Sequence, residues 1–147
     1  MQDSTRLDAR IFRDFFSADK YAVMTGIEID AVSIDCVECS MAITPGHLNA
    51  NGVVQGGAIF TLADLAFAAH CNIGHICGED VGVSVGQSCY VTFLKPAKGK
   101  RLAAKTSCLS QGRTMSVFRV TVEDDNGVVV AEFIGNAFRM SNNNNAK

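Results

Sequence analysis

The sequence is short of charge and has no excess of either sign. Asp, Glu, Lys and Arg make up 19% of its 147 residues, below the ~25% usual for soluble domains. Thirteen basic against 15 acidic side chains leave a net charge of −2, which excludes a nucleic-acid binder driven by bulk positive charge. A long uninterrupted apolar run is also lacking. The longest, around Val53–Ala69, is broken by Gln55, two glycines, Thr61 and Asp64, whereas a membrane span needs ~20 residues with few polar interruptions. The first fourteen residues carry Asp3, Arg6, Asp8, Arg10, Arg13 and Asp14, a pattern unlike a signal peptide. These absences point to a cytoplasmic protein with neither nucleic acid nor membrane as partner.

The six cysteines lack a pattern too. Cys36 and Cys39 form a CxxC with no second CxxC to complete a zinc knuckle. In an extended segment their odd spacing sends the two thiols to opposite faces. Cys71, Cys77, Cys89 and Cys108 sit mostly in apolar periodic stretches. No metal and no disulfide framework is expected; the thiols read as free, mostly buried small hydrophobes. What the chain does have is apolar side chains, 48% of the total. That fills one good core at this length and is too little for two. Residues 1–140 are therefore read as one domain, and the Asn-rich tail 141–147 as disordered.

Leu7, Ile11, Phe12, Phe15 and Phe16 recur at helical spacing behind Ser4, predicting an amphipathic helix over about 4–17. From Gly26 the period drops to two: Ile27 and Ile29, then Val37, Cys39, Met41 and Ile43, predict two strands ended by Thr44-Pro-Gly. A second helix, about Gly57–Cys71, is apolar on nearly every side, which marks it as buried. Strands follow: Val81–Leu94 with its apolar residues at odd positions, Leu102–Leu109 at even ones, then Met115–Glu123 and Val128–Phe138. Asp124-Asp-Asn-Gly127 is a hairpin turn signal. The fold class is α+β, with an antiparallel sheet covering one apolar helix.

Asp64 is the anomaly, the only ionisable group from Gly57 to Ala69. A carboxylate among Ala, Leu and Phe either finds a partner or titrates upward, and such a group is a functional candidate. At the start of the same helix, Gly56 and Gly57 expose backbone N–H groups where nothing larger than hydrogen blocks a ligand. They either receive an oxygen acquiring negative charge or simply permit a tight entry turn. Gly57 and Asp64 are seven residues apart, about 10 Å along one helix face at ~1.5 Å per residue. One reacting carbon cannot lie ~3 Å from both. If both serve one reaction, each site takes Gly57 from one subunit and Asp64 from another, as in a two-fold dimer.

Other signals are weaker. Gly82-Val-Ser-Val-Gly86 matches a nucleophile elbow, but it lies in an alternating strand with no helix after it. All three histidines (His47, His70, His75) also precede it, against that family's order. His70, Cys71, His75 and Cys77 match no familiar zinc spacing and read as a helix-to-strand loop with incidental thiols. Lys95-Pro-Ala-Lys-Gly-Lys-Arg101 concentrates positive charge, as a solvated hairpin or a landing site for phosphates.

Asn49-x-x-Gly52-x-x-Gln55-Gly56-Gly57, followed by Leu62-Ala63-Asp64-x-Ala66, resembles the hotdog-fold acyl-CoA thioesterases of the phenylacetic-acid-degradation type. Phe93-Leu-Lys-Pro96 and Gln111-Gly-Arg113 are similar to that family as well, so the likeness runs from about Gly26 to Arg139. It implies a five- or six-stranded antiparallel sheet wrapped around one long central helix, assembled as dimers or dimers of dimers. It implies hydrolysis of an acyl- or aryl-CoA thioester, with coenzyme A entering only as part of the substrate and no other cofactor. In the matching positions Asp64 would be general base or nucleophile, the Gly57 amide would polarise the carbonyl, and Asn49 would hold substrate or water. The acyl group would lie beside Phe60 and Phe67, with the coenzyme's phosphates at Lys95, Lys98, Lys100 or Arg113. One position departs: the family's His before Gly-Gly is Gln55, which cannot carry a proton at neutral pH. That missing His also weakens a dehydratase reading. The alternative from another class is a non-catalytic hotdog protein that binds acyl-CoA to sense it.

Overall fold

A computed structural model describes residues 5–142. Strand β1 (Arg6–Leu7) leads into helices α1 (Ala9–Phe16) and α2 (Lys20–Thr25), then strands β2 (Ile27–Ser33) and β3 (Val37–Ala42). A loop leads to the long helix α3 (Gly56–Cys71) and the short α4 (Ile73–Ile76). Strands β4 (Ser84–Phe93), β5 (Arg101–Gln111), β6 (Met115–Asp124) and β7 (Val129–Arg139) complete the chain. All seven strands form one sheet in the order β1-β2-β3-β5-β6-β7-β4, and every pairing is antiparallel. The expected five or six strands become seven.

The sheet buries one face against α3 because its strands alternate. Val37, Cys39 and Met41, then Leu102 and Ala104, then Phe118, Val120 and Val122 are all buried. Each large side chain among them contributes roughly 1.5–3 kcal/mol by leaving water. The helix answers with small residues: Ala63, Ala66 and Ala69 are fully buried and let the backbone come close. Phe67 fills the remaining gap, with its ring against Phe118 and Phe133. A Cβ added to Gly135 would meet that ring at 2.8 Å, so glycine is what the packing requires there.

Several expectations need correction. The first helix starts at Ala9 and is capped by Asp8, whose side chain accepts from the Arg10 amide. Leu7 instead pairs with Val32 in the sheet; Ser4 lies outside the described residues. Helix α2 went unpredicted. It is capped by Asp19 and closed by Gly26 at φ +80, but six residues are too few turns for a hydrophobic period to show. The odd-position pattern expected of Val81–Leu94 breaks at a bulge between Gly86 and Ser88. Gly86 faces Phe67 and Val91 packs on the core, while Val83 and Val85 are exposed. Three of the six free thiols, Cys77, Cys89 and Cys108, are exposed rather than buried. The segment after His70 is not only a loop, since α4 lies within it. Of the expected tail, Ser141 and Asn142 are described, and Asn142 donates to Asp80 at 2.7 Å; residues 143–147 lie outside.

The sheet's two margins differ. Helices α1 and α2 pack beside β2, while the ten-residue β4 ends the sheet uncovered with Val85, Tyr90 and Phe93 exposed. A long edge of that kind invites a partner strand. No described helix is long and apolar enough to cross a membrane.

Candidate active site

Helix α3 is not buried all round. Gly57 and Asp64 are exposed and Phe60, Thr61 and Ala68 half-buried, forming one stripe at helical spacing that the protomer leaves uncovered. Thr61 satisfies its hydroxyl by donating to the Gly57 carbonyl at 2.7 Å. Asp64 therefore stands at the surface rather than inside the core, a correction to the sequence reading. It opens into a cavity of about 270 Å³ lined by Asp19, Tyr21, Ala22, Phe60, Thr61 and Leu65. Desolvation by these walls raises its pKa above the ordinary carboxylate value, and the Asp19 carboxylate adds a smaller push the same way. Among the described residues no hydrogen bond or ion pair engages it. An unpartnered, partly desolvated carboxylate is a stronger base than an ordinary aspartate.

The start of α3 is arranged differently. Gln55 is the N-cap, and its Oε1 accepts from the amides of Gly57 and Ala58. A carbonyl oxygen thus already sits where an incoming oxyanion would, supplied by the chain itself. Gln55 is exposed, so its side chain can turn away for the loss of one capping interaction, ~1 kcal/mol. Gly57 shares a cavity of about 420 Å³ with Gln55, Tyr21, Met24 and His47. Asn49 shapes the loop before the helix: its Oδ1 accepts from the amides of Asn51 at 2.9 Å and Val53 at 3.2 Å. Its side-chain NH2 has no hydrogen bond among the described residues.

His47 was missed as a positioning residue. Its Nδ1 accepts from the Thr44 amide at 3.0 Å, leaving Nε2–H to donate to the Thr25 carbonyl at 2.8 Å. Its own carbonyl receives the Gln55 amide at 2.8 Å. One residue thus ties the end of α2 to the cap of α3. The signal was Thr44-Pro-Gly-His47, a capping pattern around a one-turn helix at Pro45–His47.

The remaining predicted residues divide. Gly56 packs closely under the exposed Phe93 ring, which a Cβ there would meet at 2.9 Å and push aside. It lines a third cavity, about 350 Å³, together with Phe93 and Lys95. Lys98 and Lys100 lie on a loop whose backbone is held by Asp124 and Asp125. Burial pushes the Asp124 carboxyl up, but amide donations from Lys98, Val128 and Asn126 outweigh it and leave the pKa below the ordinary value. Gly99 at φ +90 packs against Asp125, where no side chain fits. Among the described residues, no ion pair engages Lys95, Lys98 or Lys100.

Arg113 does not join them. It follows the far end of β5, ~33 Å from Arg101 at ~3.3 Å per residue. Phe60 lines the Asp64 cavity with its ring edge-on to Phe133. Phe67, only 2% exposed, is core and cannot line a substrate slot.

The nucleophile-elbow match is structural. Ser84 is buried at the start of β4, with its amide and carbonyl both bonded to the Asn72 side chain. Burial pushes the Cys39 and Cys71 thiols up to about 12, away from nucleophilic use. Among the described residues no group of three or more His, Cys, Asp or Glu side chains could hold a metal.

Residues 51–131 match the thioesterase superfamily model. Over 126 residues the chain is 29% identical to acyl-coenzyme A thioesterase PaaI of Escherichia coli, covering 85% of this chain and 86% of that one. The solved structure of the E. coli PaaI protein from the phenylacetic acid degradation operon superposes with a TM-score of 0.80 at 26% identity, over 90% of this chain and 92% of that one. A Haemophilus influenzae thioesterase gives 0.81 at 19% identity over 92% of each chain, a likeness of fold alone. The hotdog fold that the sequence resemblance implied is the fold of this chain.

Proposed function

Because the chain belongs to the thioesterase superfamily, we propose that it hydrolyses acyl-CoA thioesters with Asp64 as its base. It works as a cytoplasmic dimer, or dimer of dimers, whose sites are shared between subunits. The observation that carries this reading is Asp64 itself: an unpartnered, partly desolvated carboxylate in a cavity on the uncovered stripe of α3. Asp64 takes a proton from water as the water oxygen bonds to the thioester carbon. The Gly57 amide of the other subunit holds the oxyanion, displacing Gln55 Oε1. The C–S bond then breaks, the acid forms, and coenzyme A leaves as thiolate to take up the proton.

Two features support the shared site. Gly57 and Asp64 lie about 10 Å apart on one helix, and β4 offers a bare edge with exposed apolar residues for a second copy. Lys95, beside Gly56, and the loop carrying Lys98 and Lys100 supply positive charge for the coenzyme's phosphates. Arg113 serves this role only from another subunit. Six free thiols suit the reducing cytoplasm, and water with coenzyme A in the substrate completes the chemistry without a further cofactor.

Free-thiol release over short, long and aryl acyl-CoAs tests the activity. Asp64→Asn is expected to abolish it, and unchanged turnover overturns the mechanism. Sharing is tested by mixing Asp64→Asn with a Gly57→Val variant. A heterodimer then holds one intact site, so mixing should restore thiol release to two inactive parents; failure of mixed dimers to recover it sinks the shared site. A second reading draws on the Gln55 oxygen that fills the Gly57 amide, since a plugged oxyanion site suits a non-catalytic acyl-CoA sensor. A wild-type protein that binds acyl-CoA but releases no thiol, with Gln55→Ala equally silent, favours that reading.

A further inference from the structure

We propose that the cleft between α1, α2 and β2 receives the acyl group, with Ala22 and Leu65 as its threshold, and that its apolar walls favour longer aliphatic or aryl chains over acetyl. The proposal rests on the reading of Asp64 as the base. Helix α2, unforeseen in the sequence, is a wall of three separate cavities. Asp19, Tyr21 and Ala22 face the Asp64 cavity, and Tyr21, Met24 and Thr25 face the Gly57 cavity. Ala22 and Val23 face the third, a cleft of about 430 Å³, the largest of the three. Its volume falls within the ~300–1,000 Å³ common for small-molecule sites.

Ala22 and Leu65 line both this cleft and the Asp64 cavity. Only those two side chains are common to both, and Leu65 adjoins Asp64 in the helix. A thioester carbonyl held over Asp64 therefore has the cleft one side chain away. Phe67, the other candidate lining, is sealed in the core.

The walls are Phe16, Val23, Ile27 and Ile29, with Arg13, Ser17 and Glu28 as the polar members. All three polar members are exposed to solvent. Arg13 Nε donates to the Ile29 carbonyl at 2.8 Å, Ser17 donates to the Asp14 carbonyl at 2.6 Å, and Glu28 pairs with Arg101 at 3.1 Å. A plain alkyl or phenyl end gains from burial against the apolar walls.

Ala22→Leu narrows the threshold, but Ala22 is buried and overpacking there puts folding at risk. Val23, 55% exposed on the cleft's rim, offers a second variant, Val23→Phe, that adds volume without entering the core. Two quantities are measured: kcat/KM for hexanoyl-CoA and phenylacetyl-CoA relative to acetyl-CoA, and the affinity of S-hexyl-CoA relative to S-methyl-CoA, thioethers that cannot be hydrolysed. Val23→Phe is expected to lower both ratios by about tenfold. Unchanged ratios in folded Val23→Phe protein overturn the proposal. Should wild-type protein release no thiol from any substrate, the hydrolase reading fails. The thioether ratio still decides the cleft: loss of chain-length preference in the variant supports it, and equal affinities in wild type overturn it.

Discussion

Asp64 and His70 stand within two turns of each other on α3, and their surroundings are opposite. His70 is buried, with Nε2–H donating to the Ile34 carbonyl at 3.1 Å and Nδ1 accepting from the Thr106 hydroxyl at 2.7 Å. Thr106 also accepts the Val37 amide at 2.8 Å, so one polar knot ties α3 to β3 and β5. Burial lowers the His70 pKa and keeps the ring neutral. Asp64 is exposed, has no partner among the described residues, and titrates upward. A polar group whose bonds are all made inside the protein has nothing left for a substrate; one held at a cavity without bonds has everything left.

The contrast predicts that the two residues fail in different assays. Asp64→Asn is expected to cut thiol release by roughly 10²–10⁴-fold, the usual worth of a positioned base, while its melting temperature matches or exceeds wild type. A large loss of stability in that variant would remove the contrast. His70→Ala is expected to cost about 2–4 kcal/mol in urea denaturation, since it opens a cavity and strands the Thr106 hydroxyl and Ile34 carbonyl. Its turnover per folded molecule stays near wild type.

The two titrations separate along pH as well. The folded pKa of His70 lies below 6.5. As pH falls through about 6.5 the unfolded chain takes a proton that the folded chain refuses, so stability drops until the folded pKa is passed. The folded pKa of Asp64 lies above 3.8. Its contribution to stability is present at low pH and lost as pH rises through the folded value, and Asp64→Asn removes that loss. Thiol release should decline on acidification at a higher pH than an ordinary aspartate would give. A pH–rate profile checks the position, and melting curves of both variants across pH check the signs. The smallest effect is at the helix start. Gln55→Ala is expected to cost about 1 kcal/mol from the lost cap, read as a shift of a few degrees in Tm.

Much of this was legible from local pattern. Alternation at Val37, Cys39 and Met41, and at Leu102 and Ala104, is enough to locate the inner face of the sheet, because successive side chains of a strand point to opposite faces. Asp124 to Gly127 closed a turn as expected, with the Gly127 amide on the Asp124 carbonyl at 3.0 Å. Asp64 stood out as the one ionisable group from Gly57 to Ala69, although folding places it on the uncovered stripe of the helix. Helix α2 did not stand out, nor did the bulge at Gly86–Ser88. The first is held by tertiary bonds, including His47 to Thr25. The second follows β7, whose register with β4 shifts by one residue there.

Residue order alone thus settled which side chains are apolar, at what period, and where one carboxylate interrupts them, because composition and periodicity are local properties. Packing alone settled that Phe67 is core while Phe60 is not, that Gln55 caps the Gly57 amide, and that α2 walls three cavities. Those facts depend on which distant segments meet, and contact between residues far apart along the chain leaves no mark in the spacing of either.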